Sequence, residues 1–127
     1  QEIQTLVNEA VAGAKWVRKK AAIEALNAPV SKKLALPTQL VVDRYRTSGQ
    51  YALLDARPLQ INGRPVDYEM TVYRDEFRTR KFADRVIGLL KYEKGAWKVL
   101  IYTIGLDEVA AATWRKKYGA PRTLFEQ

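Results

Sequence analysis

The chain has 127 residues, 47% of them hydrophobic and 28% charged, with 22 Lys+Arg against 14 Asp+Glu and neither His nor Cys. This length suits one compact domain with a single core, and the missing His and Cys exclude disulfides, thiol nucleophiles, Ser-His-Asp triads and the usual zinc ligands. The net charge of +8 is divided evenly between residues 1–63 and 64–127, so it indicates a basic folded surface rather than a basic tail.

The first predicted element is an amphipathic helix over residues 2–26. Its apolar side chains recur at spacings of three and four, which places them along one stripe that we expect to face the core, namely Ile3, Leu6, Val7, Ala10, Ala14, Val17, Ala21 and Ala25. The basic residues Lys15, Arg18, Lys19 and Lys20 fall off this stripe toward solvent. The helix is expected to end at Asn27-Ala28-Pro29, because proline cannot continue the helical hydrogen bonds.

Residues 38–104 are predicted to form a curved antiparallel sheet of about five strands. The strands cover 40–47, 51–59, 66–73, 86–92 and 97–104, with hairpin turns at Asn62-Gly63 and Glu93-Lys94-Gly95. The last two strands are apolar on both faces, a pattern typical of strands that are covered on both sides. The first helix can cover one face, and the C-terminal segment or a second subunit would cover the other.

A short C-terminal helix is predicted over residues 107–118, followed by a tail. Asp107 is a suitable N-cap, while Gly119 and Pro121 form a typical helix exit. The whole chain, 1–127, is therefore predicted to be a single α+β domain with a long N-terminal helix on the sheet.

This order of elements resembles the cystatin-like and nuclear-transport-factor-2-like superfold, in which a bent antiparallel sheet wraps a long helix. A second resemblance, to small exported bacterial proteins of unknown function, covers residues 97–125 and rests on Trp97-Lys98-Val99-Leu100, Tyr102, Gly105, Asp107-Glu108-Val109, Trp114, Tyr118-Gly119-Ala120-Pro121 and Leu124-Phe125. The resemblance implies an exported protein without an assigned activity, and it carries over no catalytic residue.

Asp55 and Arg57 are the charged pair with two alternative placements. If Asn62-Gly63 makes a two-residue turn, cross-strand pairing puts both on the apolar face near Tyr68, where they could form the polar floor of a ligand pocket between helix and sheet. A one-residue bulge near Pro58 would instead turn Ala52, Leu54 and Ala56 to the core and both charges to water. The sequence favours the bulge.

Two further groups of charged residues are candidate binding sites. Asp67 and Glu69 leave one face of a predicted strand but supply too few ligands for a metal, so we expect a solvated face. The connection after residue 73 carries Arg74, Arg78, Arg80, Lys81 and Arg85, with Tyr73, Phe77 and Phe82 interleaved, which could bind anions or stack on nucleic-acid bases. The acids Asp75, Glu76 and Asp84 dilute this basic group.

The leading hypothesis is a non-enzymatic exported interaction module without cofactor or metal, whose partner is another protein or a second copy. The alternatives are a small-molecule binder or enzyme using Asp55, Arg57 and Tyr68, and a nucleic-acid or anionic-surface binder using Arg74–Arg85. No apolar run approaches the roughly 20 residues of a membrane span. The chain starts at Gln1 without an initiator Met, which suits a processed periplasmic or secreted protein.

Overall fold

The computed structural model describes residues 2–79, 81–106, 111 and 113–125, with side chains from residue 14 onward. The elements are helix α1 (Glu2–Leu34), strands β1 (Thr38–Ser48) and β2 (Tyr51–Gln60), a 3-10 turn (Tyr68–Met70), helix α2 (Arg74–Arg78), strands β3 (Val86–Glu93) and β4 (Ala96–Ile104), helix α3 (Trp114–Tyr118) and a 3-10 turn (Arg122–Phe125). The α+β class, the N-terminal helix and the antiparallel sheet agree with the sequence. The sheet has four strands in the order β1-β2-β3-β4, not five.

Helix α1 continues through Pro29 and ends at Leu34, so the predicted end at residue 26 is wrong. Beyond the proline, Val30 and Leu34 extend the buried stripe that begins with Ala22 and Leu26. An interior proline costs a helix roughly 3 kcal/mol, and burying these two aliphatic side chains offsets that cost.

The apolar stripe of α1 also lies on a different side from the one predicted. The buried side chains are Ala22, Leu26, Val30 and Leu34, at spacings of four, whereas Ala14, Val17 and Ala21 are exposed. The sheet therefore packs against the second half of the helix. The earlier part leaves its aliphatic side chains in solvent as far as they are described.

Strands β1 and β4 each contain one extra residue, and these bulges decide which side chains face α1. Asp43 is the extra residue in β1, between the pairs Val42↔Ala56 and Arg44↔Asp55, and it keeps Tyr45 on the helix side. The predicted bulge near Pro58 is thus in the neighbouring strand, although Ala52, Leu54 and Ala56 are all buried as expected.

Leu100 is the extra residue in β4. It turns Tyr102 toward the α1 side and Ile101 toward the opposite side. The Glu93-Lys94-Gly95 hairpin is confirmed, with Glu93 paired to Ala96 and positive φ at Lys94 and Gly95.

The predicted strand 66–73 does not form. The hairpin at Asn62-Gly63 closes through the three-residue loop 61–63, not through the expected two-residue turn. Gln60 N–H donates to the Arg64 carbonyl at 2.8 Å, and pairing stops after the single bridge Leu59↔Pro65. Asp67 then accepts a hydrogen bond from the Glu69 N–H at 3.1 Å and starts the 3-10 turn. This local hydrogen bond competes with strand formation.

The sheet is the middle of three layers. Helix α1 and the connection between β2 and β3 cover one face, and the C-terminal segment covers the other through the buried residues Ala111, Trp114, Ala120 and Leu124, which pack on Leu53, Ile87 and Leu89. The expectation that the C-terminal segment covers the second apolar face is therefore confirmed. Gly119 ends α3 in the left-handed conformation. The predicted N-cap Asp107 and the first residues of the predicted helix lie outside the described residues.

Candidate functional site

Asp55 and Arg57 lie on the face of the sheet opposite α1, because they alternate along β2 with Leu54, which packs under the helix. Asp55 is 2% exposed and its Oδ1 is 3.0 Å from Nε of Arg85, whereas Arg57 is exposed. The two charges therefore do not line a pocket between helix and sheet. An ion pair that links β2 to the residue just before β3 has a structural role.

Tyr68 is buried on the α1 side of the sheet, so its side chain is not part of an open binding surface. Its hydroxyl donates to Asp84 Oδ1 at 2.5 Å, and its ring packs on Phe82 with centroids 4.7 Å apart. Burial first, and then the hydrogen bond and charge of Asp84, raise the pKa of Tyr68 above its ordinary value of 10.0. The hydroxyl therefore stays protonated at physiological pH.

The basic connection after residue 73 is partly neutralised. Arg78 is hydrogen-bonded to Glu69, with Nε 3.0 Å and 3.2 Å from its two carboxylate oxygens, and Arg85 pairs with Asp55. Arg74 and Lys81 are exposed, and Arg80 lies outside the described residues. The interleaved rings anchor the connection: Phe82 packs with Tyr68, Tyr73 and Phe77 at centroid distances between 4.7 and 6.2 Å, and Phe77 also packs with Tyr68 at 5.6 Å.

A second basic group, on α1, has no such neutralisation. We call the six consecutive residues from Lys15 to Lys20 the α1 basic surface, and all six are exposed, with Trp16 62% and Val17 59% exposed. The described carboxylates in ion pairs are Glu69, Asp55 and Glu93, and none of them pairs with Lys15, Arg18, Lys19 or Lys20. Among the described residues, this surface combines two exposed apolar side chains with four cations that form no ion pair, and Glu24 follows Lys20 one helical turn later.

Aromatic side chains of the sheet contact the cations of the α1 basic surface that lie nearest to the sheet. The guanidinium of Arg18 lies 4.0 Å from the ring centroid of Tyr92, and Lys19 Nζ lies 5.5 Å from that of Tyr45. Trp97 Nε1 donates to the Arg18 carbonyl at 2.8 Å. Cation–π contacts of this kind leave the N–H groups at the edge of each cation available for an anion.

A cleft lies toward the other end of α1, where its last turn, the end of β4 and the connection through α2 meet. We call it the Lys33–Tyr102 cleft; its volume is about 590 Å³ and its lining includes Lys33, Tyr73, Glu76, Lys81, Phe82 and Tyr102. Burial, and then the charges of Tyr102 and Glu76, raise the pKa of Tyr73 above 10.0. Its hydroxyl therefore stays protonated at neutral pH and can donate a hydrogen bond.

The described residues contain no group of three or more Asp or Glu side chains that could hold a metal ion. None of the helices in that part of the chain is long and apolar enough to cross a bilayer. Comparison with known proteins finds no matching family model, no similar curated protein and no similar solved structure. The resemblance to the cystatin-like superfold therefore stays a prediction.

The sequence draws attention to the α1 basic group but places its apolar neighbour Val17 in the core. It gives no sign of the Lys33–Tyr102 cleft, because the lining residues come from three separate segments of the chain. The end of α1 at Leu34 is what brings Lys33 to this cleft. If the helix ended at residue 26, as predicted, Lys33 would not lie on the helix and would not line the cleft.

Proposed function

We propose that the chain is a non-enzymatic binding module that docks on an acidic protein surface through the α1 basic surface. The observation that carries this proposal is the exposure of Trp16 and Val17 among four cations that form no ion pair with a described carboxylate. An exported location, inferred from the resemblance alone, belongs to the same proposal.

The side chains of this surface are those that carry binding energy at protein interfaces. Tryptophan and arginine are enriched at interface hot spots, where a large side chain becomes enclosed by the partner. Trp16 can supply such an anchor, since more than half of its surface is open. Lysines around an anchor add electrostatic steering toward an acidic partner and raise the rate of association.

Charge and shape together favour a protein partner over a lipid surface or a nucleic acid. An interfacial membrane helix needs a broad apolar face, but Lys19 and Lys20 flank Trp16 at the helical spacings of three and four. Binding to single strands needs several open rings for stacking. Arg18, Lys19 and Lys20 instead lie over the rings of Tyr92, Tyr45 and Trp16, so each of these three rings already has a cation on one face.

A direct test measures fluorescence anisotropy of a labelled 20-residue Glu/Leu peptide and of its Gln/Leu counterpart at two salt concentrations. We expect the acidic peptide to bind and Trp16→Ala/Lys20→Glu to weaken binding at least tenfold. Lys116→Glu is the matched control, because Lys116 is an exposed lysine on α3, across the sheet from α1, and we expect less than a twofold effect.

Three outcomes would overturn the proposal. The first is no binding of the acidic peptide, or equal weakening by the Lys116→Glu control. The second is tighter binding to oligo(dT) or to anionic phosphatidylglycerol vesicles, which would assign the surface to nucleic acid or lipid. The third is a dimer in light scattering that Trp16→Ala/Lys20→Glu disrupts, which would assign the surface to a second copy.

A further inference from the structure

We infer that the Lys33–Tyr102 cleft binds a small molecule that combines an aromatic body with a single negative charge, such as an aromatic carboxylate. The site goes beyond the proposed docking function and does not depend on it. Its volume, about 590 Å³, lies within the range of about 300–1,000 Å³ that is typical of small-molecule sites. Lys33 of the cleft follows Lys20 of the α1 basic surface by thirteen positions, which separates the two sites by about 20 Å along the helix.

The aromatic part of the ligand is inferred from the wall of the cleft. Tyr73, Phe82 and Tyr102 are among the lining residues, and the rings of Tyr73 and Phe82 pack with centroids 5.5 Å apart. Phe82 also packs edge-on against the buried ring of Tyr68 at 4.7 Å. Offset and edge-on ring packing is favourable between aromatic groups, so a planar ligand can extend this cluster.

The Phe82 ring packs directly on the backbone of Gly105. This glycine has a φ of 96°, and a Cβ at its position would overlap the Phe82 ring. The backbone around it is held as well, since Gly105 N–H donates to the Arg85 carbonyl and the Gly105 carbonyl accepts from Ala83 N–H, both at 2.9 Å. The aromatic wall is therefore formed before a ligand arrives, which lowers the cost of ordering on binding.

The single negative charge is inferred from the charged side chains at the cleft. Lys33 and Lys81 face one acid, Glu76, and none of the described ion pairs involves any of the three. Among the described lining residues, one uncompensated positive charge remains, which suits a monoanion. The protonated hydroxyl of Tyr73 adds a neutral donor, and the described part of the chain supplies no hydrogen-bond partner for it. A carboxylate can accept hydrogen bonds from both kinds of donor.

The test uses 1-naphthoate as the anionic probe and 1-naphthylmethanol as a neutral probe of similar size, each titrated by calorimetry and by NMR shift mapping. We expect naphthoate to bind at least tenfold more tightly, with shifts concentrated in residues 73–82 and 102–106. Lys33→Gln/Lys81→Gln should reduce this preference to less than twofold. Lys32→Gln, a neighbouring exposed lysine outside the cleft lining, should leave it unchanged.

Equal affinity for the two probes, shifts outside the cleft, or no binding at millimolar probe would overturn this inference. So would an equal effect of Lys32→Gln. The variants used here leave Trp16 and Lys20 unchanged, so failure of the cleft and failure of the docking surface are separate results. The substitutions replace exposed lysines and are not expected to disturb folding.

Discussion

Asn27 on α1 and Thr38 at the start of β1 are joined by two hydrogen bonds: Asn27 Nδ2 donates to the Thr38 carbonyl at 2.7 Å, and Thr38 Oγ1 donates to Asn27 Oδ1 at 2.8 Å. Ser31 Oγ lies 2.6 Å from the same threonine hydroxyl. Thr38 is 3% exposed, so water does not compete for these bonds. Asn27 and Ser31 lie on either side of Pro29, and the network thus holds the last two turns of the helix on the sheet.

Thr38→Val tests this network, because valine keeps the shape of the side chain and removes its hydroxyl. The half-buried partners Asn27 and Ser31 lose one hydrogen bond each, and we expect a loss of about 1–3 kcal/mol in the free energy of unfolding, measured with urea. Thr47→Val, at an exposed position of the same strand, is the control. Equal effects of the two substitutions would contradict a role for the network.

Gly88→Ala should destabilise the fold through contact between β3 and α1. A Cβ at position 88 would lie 2.6 Å from Leu26 Cδ1, and overpacking of this kind costs about 1–3 kcal/mol. In a Leu26→Ala background the same substitution should cost nothing further, since the colliding atoms are gone. Thermal unfolding of the four proteins of this cycle measures the coupling, and additive effects would rule out the contact as the cause.

Asp55→Ala should destabilise the protein by removing a buried partner of Arg85. Breaking a buried pair typically costs about 3–5 kcal/mol. Because the Arg85 side chain is 38% exposed and can regain water, we expect a loss below that range, about 2–3 kcal/mol in chemical denaturation. Asp75→Ala removes an exposed carboxylate from α2 and is the control. A stability equal to that control would show that the ion pair contributes nothing.

Stability should fall above pH 10 because Tyr68 has a raised pKa. The native state keeps its proton, whereas the unfolded state loses it near the ordinary value of 10.0. The stabilisation is therefore complete below pH 10 and decreases above it, by up to about 1.4 kcal/mol per pH unit. Tyr68→Phe should lose about 1 kcal/mol at neutral pH with its hydrogen bond to Asp84. Between pH 10 and 11 its stability should decline less steeply, and urea curves with parallel slopes for both proteins would contradict this.

Local sequence patterns predict the secondary-structure elements well where turn residues mark the ends of the strands. The boundaries of β2, β3 and β4 differ by one residue or less from those expected, because turn residues punctuate the chain there. The alternation over 66–73 is misleading for a related reason. Val66 and Tyr68 are buried, but Met70 and Val72 are 82% and 67% exposed, so the four apolar residues of that pattern do not form one buried face.

Long-range contacts decide what the sequence pattern leaves open. Pro29 predicts a helix end, but the packing of Val30 and Leu34 in the core and the hydrogen bond of Ser31 with Thr38 keep the helix intact. The single extra residue in each bulge reverses every later side chain in its strand, and the alternation of apolar residues does not locate it. For this reason the sequence gives two alternative placements for the Asp55 side chain and does not identify Arg85 as its ion-pair partner.

The bulges at Asp43 and Leu100 lie in the two outermost strands of the sheet, β1 and β4. An outermost strand normally offers an unbroken row of N–H and C=O groups to a strand from another molecule, and a bulge interrupts that row. Both borders of this sheet are interrupted, and β1 adds the exposed charges of Asp43 and Arg44. These interruptions and charges disfavour the joining of copies of this chain edge to edge into a continuous sheet.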